Sequence, residues 1–399
     1  MNPRDNPYTP NAGARPPALV GRDAELEGFE ILLERLRRGY PEQSMLITGL
    51  RGVGKTVLLG AFEDRALHGG WVTVTAEITK NEPFGPRIGA MVRRALFQAA
   101  PRPTWGDRIR RAAGVLKSFS LTVASDGSMT AGIDVDAVEG LADTGNLGDD
   151  LTDLLVALGE AAQERETGVA FLVDEVQFLR ANEFEALIAG LHRTVQRRLP
   201  ITLVGAGLPQ LPRLAGEAKS YAERLFKFPR LGRLSAPEAE AALAEPAADL
   251  GVAFDPGAID AIVEYTEGYP YFLQEYGKLA WDLAPEGQAI GEAVAREAQR
   301  AVELKLDESF FRVRAERTTE LELHYLRAMA ELGSAEQTAG EVASVMGRSS
   351  EQLGPTRARL IDKGLIYTTG HGRGAFTVPQ FDRYLRRTYE LPAPRPASG

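Results

Sequence analysis

The stretch Gly49–Thr56, GLRGVGKT, decides the fold. It reads as glycine, four residues, glycine, lysine and a hydroxyl residue, the phosphate-binding loop pattern. An apolar run ending in Thr48 (SMLIT) precedes it, and a helical stretch, KTVLLGAFEDRAL, follows. Glycines let the backbone turn so that successive N–H groups face one cavity. The helix start adds its positive end. In this setting Lys55 reaches the β- and γ-phosphates of a nucleotide, and the Thr56 hydroxyl sits on Mg²⁺. Gly49, Leu50, Arg51, Gly52, Val53, Gly54, Lys55, Thr56 and Val57 are therefore the expected ATP contacts. The bland alternative is a glycine-rich turn with no ligand, and the strand before and helix after it argue against that.

Outward from this loop, WVTVTAEIT (71–79), GVAFLVDE (168–175) and ITLVGAG (201–207) are further strand-like runs separated by helical segments. Nearly continuous apolar strands alternating with helices predict a parallel sheet covered on both faces, an α/β fold. Residues 101–150 look like an insertion: a Pro-rich turn, a basic helix, then a hairpin turning at Asp126–Gly127. After about residue 233 the strands stop and short helices follow. The expected organisation is a tail over 1–18, a core over 19–233, a helical lid over 234–312, a C-terminal unit over 313–390 and a tail over 391–399. Both tails are polar and Pro-rich, and the first reads as disordered.

FLVDE ends in two acids, Asp174 and Glu175. A strand end aiming acids at the phosphate loop would let Asp174 hold Mg²⁺ through water and Glu175 polarise an attacking water. The competing reading is a solvated acidic pair capping the next helix.

VGRDAEL, then GLRGVGKT, then FLVDEVQFL together resemble the AAA+/STAND-related ATPases of the origin-recognition and archaeal-ATPase type. The resemblance covers most of residues 19–312, and the rest more weakly. It implies an AAA+-like P-loop NTPase sheet of order 5-1-4-3-2, a helical lid, ATP hydrolysis and nucleotide-dependent self-assembly. It also implies adenine contacts from Val20, Gly21 and Arg22. Arg224 is the best match to an arginine finger that reaches a neighbouring subunit, ahead of Arg230 and Arg233. Two places depart from the family. Gly205, Ala206 and Gly207 stand where a polar sensor side chain is expected, and Tyr271 follows Pro270 where an arginine is common. Both departures question fast hydrolysis rather than binding.

Residues 318–390 read as three helices and a hairpin around Gly370–Gly374, the pattern of a winged helix-turn-helix. The third helix, with Ser349 or Ser350 as its cap or with a start delayed to Gly354 by Pro355, offers Gln352, Arg357 and Arg359, and the wing offers Arg373. From 355 to 390 seven basic residues (Arg357, Arg359, Lys363, Arg373, Arg383, Arg386, Arg387) outnumber three acidic ones (Asp362, Asp382, Glu390). That local excess suits double-stranded DNA, although winged helices also bind protein or pack on their own core.

The whole chain sets bounds. At 399 residues it suits two or three domains. It has no cysteine, which excludes disulfides, thiol catalysis and Cys-based zinc. Its four histidines, His68, His192, His324 and His371, lack metal-ligand spacing. A net charge of −9 opposes nonspecific nucleic-acid binding by the whole surface. There is no long apolar run and no signal-like start, so a cytoplasmic location is expected. Three functions fit: a nucleotide-switched ATPase on DNA, a STAND-type signalling switch closed by its winged helix, or a nucleotide-binding scaffold with negligible turnover.

Overall fold

The computed structural model describes residues 1–80, 82–99, 105–123 and 134–391. Helix α1 (Asp23–Arg37) leads into strand β1 (Ser44–Thr48), and α2 (Lys55–His68) carries the chain to β2 (Val72–Glu77). Next come α3 (Phe84–Ala99), α4 (Asp107–Val123) and α5 (Leu147–Glu164), then β3 (Val169–Asp174). After α6 (Ala181–Gln196) and β4 (Ile201–Gly207), α7 (Leu211–Ala218) and α8 (Ala222–Leu225) turn into the two-residue β5 (Phe226–Lys227). All five strands are parallel, in the order β2-β3-β4-β1-β5. This is the order implied by the family resemblance. The register pairs Thr48 with Gly207 and Glu77 with Asp174, so the loops after β1, β3 and β4 leave from one edge. Ligands of open α/β sheets bind at that carboxyl edge.

Strands β1 and β4 are buried along their whole length because helices cover both faces. On one face α1 and α2 close the core, with Phe29 stacked on Phe62 at 4.3 Å. On the other, α3 to α6 bury Leu96, Phe119, Leu154, Leu158 and Leu187.

The insertion departs from its sequence reading. Asp126–Gly127 lies outside the described residues. Ser120–Val123, expected to start a strand, end α4, whose Ile109, Ala113, Leu116 and Phe119 are fully buried. Residues 134–138 form no strand but lie along α4. There Ser118 Oγ accepts from the Val138 amide at 3.0 Å and donates to the Val138 carbonyl at 2.8 Å. Any side chain at Gly114 would strike the Asp136 carbonyl at 2.8 Å, so this return path needs glycine.

The N-terminal tail also needs correction, because residues 1–9 pack against the lid. The lid comprises α9 (Ala236–Ala248), α10 (Pro256–Thr266), α11 (Pro270–Leu283) and α12 (Glu292–Lys305). Tyr8 is buried against Gly277 and donates to the Leu243 carbonyl at 2.5 Å. Trp281 Nε1 donates to the Asn2 carbonyl at 3.1 Å, and Asn6 Nδ2 to the Lys278 carbonyl at 3.0 Å. Composition signalled disorder because the segment is polar and Pro-rich; one aromatic anchor and its amide pairs outweigh that.

A π-helical segment, Leu306–Phe311, and α13 (Arg312–Ala315) connect the lid to the C-terminal unit. That unit contains α14 (Glu320–Leu332), β6 (Gln337–Thr338), α15 (Ala339–Val345), α16 (Ser350–Asp362), β7 (Ile366–Gly370), β8 (Arg373–Phe376) and α17 (Phe381–Thr388). Its sheet order is β6-β8-β7, with both pairs antiparallel, and the β7–β8 hairpin follows α16 as the sequence pattern expects. Ser349 caps α16 in a reciprocal box with Gln352, so the helix starts at Ser350 and runs through Pro355. The unit shares one hydrophobic core with the lid: Phe311 stacks on Phe381 and Tyr384 at 5.9 and 5.3 Å. Among the described residues no helix is long and apolar enough to cross a membrane.

Tyr8→Ala should cost about 3 kcal/mol through lost burial and lower the thermal midpoint. An unchanged midpoint would mean that the N-terminal segment is not held on the lid in solution.

Candidate nucleotide site

Arg51, Gly52, Val53, Gly54, Lys55, Thr56 and Val57 line a cavity of about 440 Å³ together with Asp174 and Glu175. The loop follows β1 and opens α2. Gly52 and Gly54 have φ of +82° and +90°, which glycine alone adopts freely. A Cβ on Gly54 would meet nothing within 4 Å, so the loop leaves open space for phosphate oxygens there. Gly49 and Leu50 face away from this cavity and line a second one, beside Arg230. Their carbonyls accept from the Lys55 ammonium at 3.0 and 2.9 Å. Burial pushes the Lys55 ammonium down from its ordinary value, while Glu175 and Asp174 pull it back up. A buried cation with only carbonyl acceptors suits an anionic ligand.

The two residues expected to hold the metal meet directly: Thr56 Oγ1 donates to Asp174 Oδ2 at 2.5 Å. Hydroxyl and carboxylate oxygens on one spot are the donor set Mg²⁺ takes beside phosphates. Thr56 and Asp174 would hold the ion, which supplies charge neutralisation to a transferring phosphoryl group. Glu175 stands in the left-handed region at φ 55°, a strain common at functional sites. Its carboxylate lies 3.9 Å from the Arg51 guanidinium and accepts from Gln177 Nε2.

Gln177 was missed in the sequence. Its Oε1 accepts from the Leu208 amide at 3.1 Å, and a Cβ on Gly207 would lie 2.2 Å from it. Gly207, at the end of β4, thus makes room for a side chain from the neighbouring strand's loop. Two glycines flanking Ala206 where a sensor is expected were the available signal.

Val20 and Arg22 line the cavity with Thr9 to Ala14 of the N-terminal segment. Gly21 lies between them at φ +68°, and a Cβ there would strike the Glu238 carboxylate. Arg22 is buried and donates to the carbonyls of Val53 and Gly232, both at 3.2 Å. It therefore braces the loop. Burial lowers its pKa, and Glu25 and Glu238 oppose that. Tyr271 closes the cavity from the lid: its amide donates to the Gly52 carbonyl at 3.2 Å, its hydroxyl to Glu275 at 3.0 Å, and its ring stacks on Phe310 at 4.9 Å. Phe310 and Arg314, unsuspected from sequence, complete that wall.

Arg224 is exposed and sits just before β5, at the amino end of the sheet, away from this cavity. It does not serve the site of its own chain. Arg233 pairs with Glu267 at 3.1 Å.

The sequence-predicted DNA contacts are engaged internally. Arg359 and Lys363 pair with the fully buried Glu322 at 2.9 and 2.5 Å. Arg357 donates to the Arg373 carbonyl at 2.6 Å, Arg373 pairs with Glu336 at 3.3 Å, and Gln352 serves the helix cap. Arg383, Arg386 and Arg387 also have carboxylate partners.

A phosphate loop after β1, acids ending β3, a 5-1-4-3-2 sheet and a helical lid define a P-loop ATPase of the AAA+ class. Residues 18–204 match the family described as AAA ATPase domain, so the core of the chain is an AAA+ P-loop ATPase domain, bearing out the sequence resemblance. Residues 308–385 match a domain of unknown function, DUF8462. Among solved structures, the Walker-type ATPase Paby2304 of Pyrococcus abyssi shares the fold at TM-score 0.55 and 15% identity, covering 93% of this chain and 97% of that one. The Orc1 protein of Aeropyrum pernix, solved in complex with DNA, scores 0.45 at 15% identity over 94% of each chain. The RuvB Holliday junction branch migration motor of Thermotoga maritima scores 0.45 at 17% identity over 96% of this chain and 100% of that one. No curated protein matches the chain.

Lys55→Ala should cost about 2 kcal/mol or more of ATP affinity, read by calorimetric titration; unchanged affinity would refute the loop's role. The Glu322 carboxyl gives a second prediction. Burial raises its pKa, but Lys363, the Thr319 amide and Arg359 outweigh burial and hold it down to about 2. A depressed native value stabilises the fold above the ordinary carboxylate range and is lost as pH falls toward 2. Acid titration of Glu322→Gln should therefore show a shallower loss of stability below pH 4.5 than the unmutated chain; identical profiles would contradict this.

Proposed function

We propose that this protein is a Mg²⁺-dependent ATP-binding switch in which the winged-helix unit is the moving part, docked on the ATPase core in one nucleotide state and released in the other. The observation that carries the reading is the bond from the Arg51 amide to the Thr377 carbonyl, 3.0 Å, which ties the phosphate loop to the C-terminal unit. Other contacts run beside it. Lys80 pairs with Asp362 at 2.5 Å, the Thr368 amide donates to Gln210 Oε1 at 3.4 Å, and Gln380 Nε2 donates to the Tyr265 carbonyl at 2.7 Å. A Cβ on Gly364 would lie 3.1 Å from the Arg51 guanidinium. A phosphate loop gripped from behind by a separate unit has a mechanical path from nucleotide to docking.

Hydrolysis resets this switch slowly. Glu175 orients the water, but Arg51 and Gln177 already hold its carboxylate, and the end of β4 offers no side-chain donor. Phosphoryl transfer rests on positioning and charge stabilisation, so a restrained base and a missing donor favour low turnover. Thr56 and Asp174 hold the metal, and Lys55 the phosphates.

A second reading, DNA binding by the released unit through Gln352, Arg357, Arg359 and Arg373, draws support from the exposed wing tip at His371–Arg373 and the exposed N-terminal half of α16. The pairing of those arginines within the chain ranks it below docking. Arg224 then remains a candidate finger toward a neighbouring copy in a released, assembled state.

Glu175→Gln should preserve ATP binding and cut turnover about 100-fold or more; persistent turnover would assign the water to another group. Asp362→Arg, which sets like charge against Lys80, should raise the radius of gyration in small-angle scattering and speed nucleotide exchange. A compact particle with unaltered exchange would count against the docked switch.

A further inference from the structure

The cavity contains one cation that neither the phosphate-loop motif nor the family positions explain. Arg314 lies on α13, beyond the lid, within the region that links to the winged helix. It lines the cavity with Arg51, Tyr271 and Phe310. Its guanidinium lies 3.9 Å from the centre of the Phe310 ring and donates to the Phe310 carbonyl. Among the described residues it has no carboxylate partner. Burial, and then the nearby positive charge of Arg51, push it down to about 10. A half-buried guanidinium repelled by a second one and given no anion is a costly arrangement unless an anion arrives.

The position along the cavity specifies which anion. Val20 and Arg22 line it with the N-terminal segment, and Arg51, whose charge acts on Arg314, lies 3.9 Å from Glu175. On the reading above Glu175 serves the phosphoryl chemistry, and Arg314 lines the same cavity beside Arg51. The cavity's charged lining comprises Arg22, Arg51, Lys55 and Arg314 against Asp174 and Glu175. That cationic surplus suits a magnesium triphosphate, which stays anionic after the metal is counted.

Local structure aims the side chain. The π-helical segment Leu306–Phe311 breaks the α-helical register just before α13, and π segments recur at functional sites. Phe310 and Arg314, four residues apart, fall on one face toward the cavity. Phe311 points the other way, into the stack with Phe381 and Tyr384 of α17.

We infer that Arg314 is a ligand of the terminal phosphate of a bound nucleoside triphosphate, supplied from the connector to the winged helix and not from the lid position after Pro270. The residue discriminates triphosphate from diphosphate, and its movement toward that phosphate is transmitted through the adjacent Phe311 to the seat of α17. This deepens the switch reading above and rests on it.

The test compares the full chain with Arg314→Ala, Arg314→Gln and Lys55→Ala variants, titrated calorimetrically with Mg²⁺ plus either ADP or a non-hydrolysable ATP analogue. Arg314→Ala should weaken the analogue about tenfold or more while leaving ADP within about twofold. Arg314→Gln keeps a stem over the Phe310 ring and removes the charge, so it should show the same selective loss even where the alanine variant folds poorly. Lys55→Ala should weaken both ligands. Equal losses for ADP and analogue in Arg314→Gln, or no loss, would overturn the assignment while leaving nucleotide binding intact. An unmutated chain that binds neither ligand would overturn the switch reading and this inference together.

Discussion

Two main-chain hydrogen bonds tie the phosphate loop to the lid and to the C-terminal unit, and the rest of the architecture follows from them. The Gly52 carbonyl accepts from Tyr271 at the start of a lid helix, and the Arg51 amide donates to Thr377 after the wing. The loop is thus a junction of three parts of the chain, with its open face left for phosphate. Because a Cβ on Gly52 would lie 3.1 Å from the Tyr271 Cβ, only a glycine allows this approach without a shift. Any adjustment of the loop to a ligand is felt by both neighbours at once.

The same economy appears in the charges. Basic residues of the C-terminal unit look, in sequence, like a surface for phosphates. In the fold they serve the unit's own acids, above all the buried Glu322, or bind the lid and the connector through Glu267, Glu303 and Asp307. Leaving Glu322 without its two cations would strand a buried carboxylate. Within the nucleotide cavity the arrangement is reversed: Lys55 has carbonyls, Arg314 has a carbonyl and a ring, and Arg51 shares a distant carboxylate. Cations of the C-terminal unit have close carboxylate partners, whereas those lining the cavity are held mainly by carbonyls.

Much of this was legible in the sequence because the decisive features are local. A glycine-lysine-threonine turn between an apolar strand and a helix, and two acids ending another apolar run, rest on near neighbours only. Their convergence required the strand order, which the family resemblance supplied. What was not legible depends on long-range packing. Tyr8 looks like one aromatic in a polar tail until Gly277 makes a place for its ring. Gln177 looks like a surface amide until Gly207 leaves space beside it. Arg314 lies some 260 residues downstream of the loop it faces, and a π-helical register break that periodicity does not reveal turns it inward. The expected second strand of the insertion fails because residues 134–138 find better partners on α4 than in a hairpin.

The central claim is that the nucleotide governs how firmly the winged-helix unit grips the loop. Hydrogen exchange read at the Arg51 amide and across residues 364–380 tests it most directly, in the presence of ADP and then of a magnesium ATP analogue. The account predicts strong protection at these amides with ADP and faster exchange with the analogue. Equal protection in the two states would contradict it.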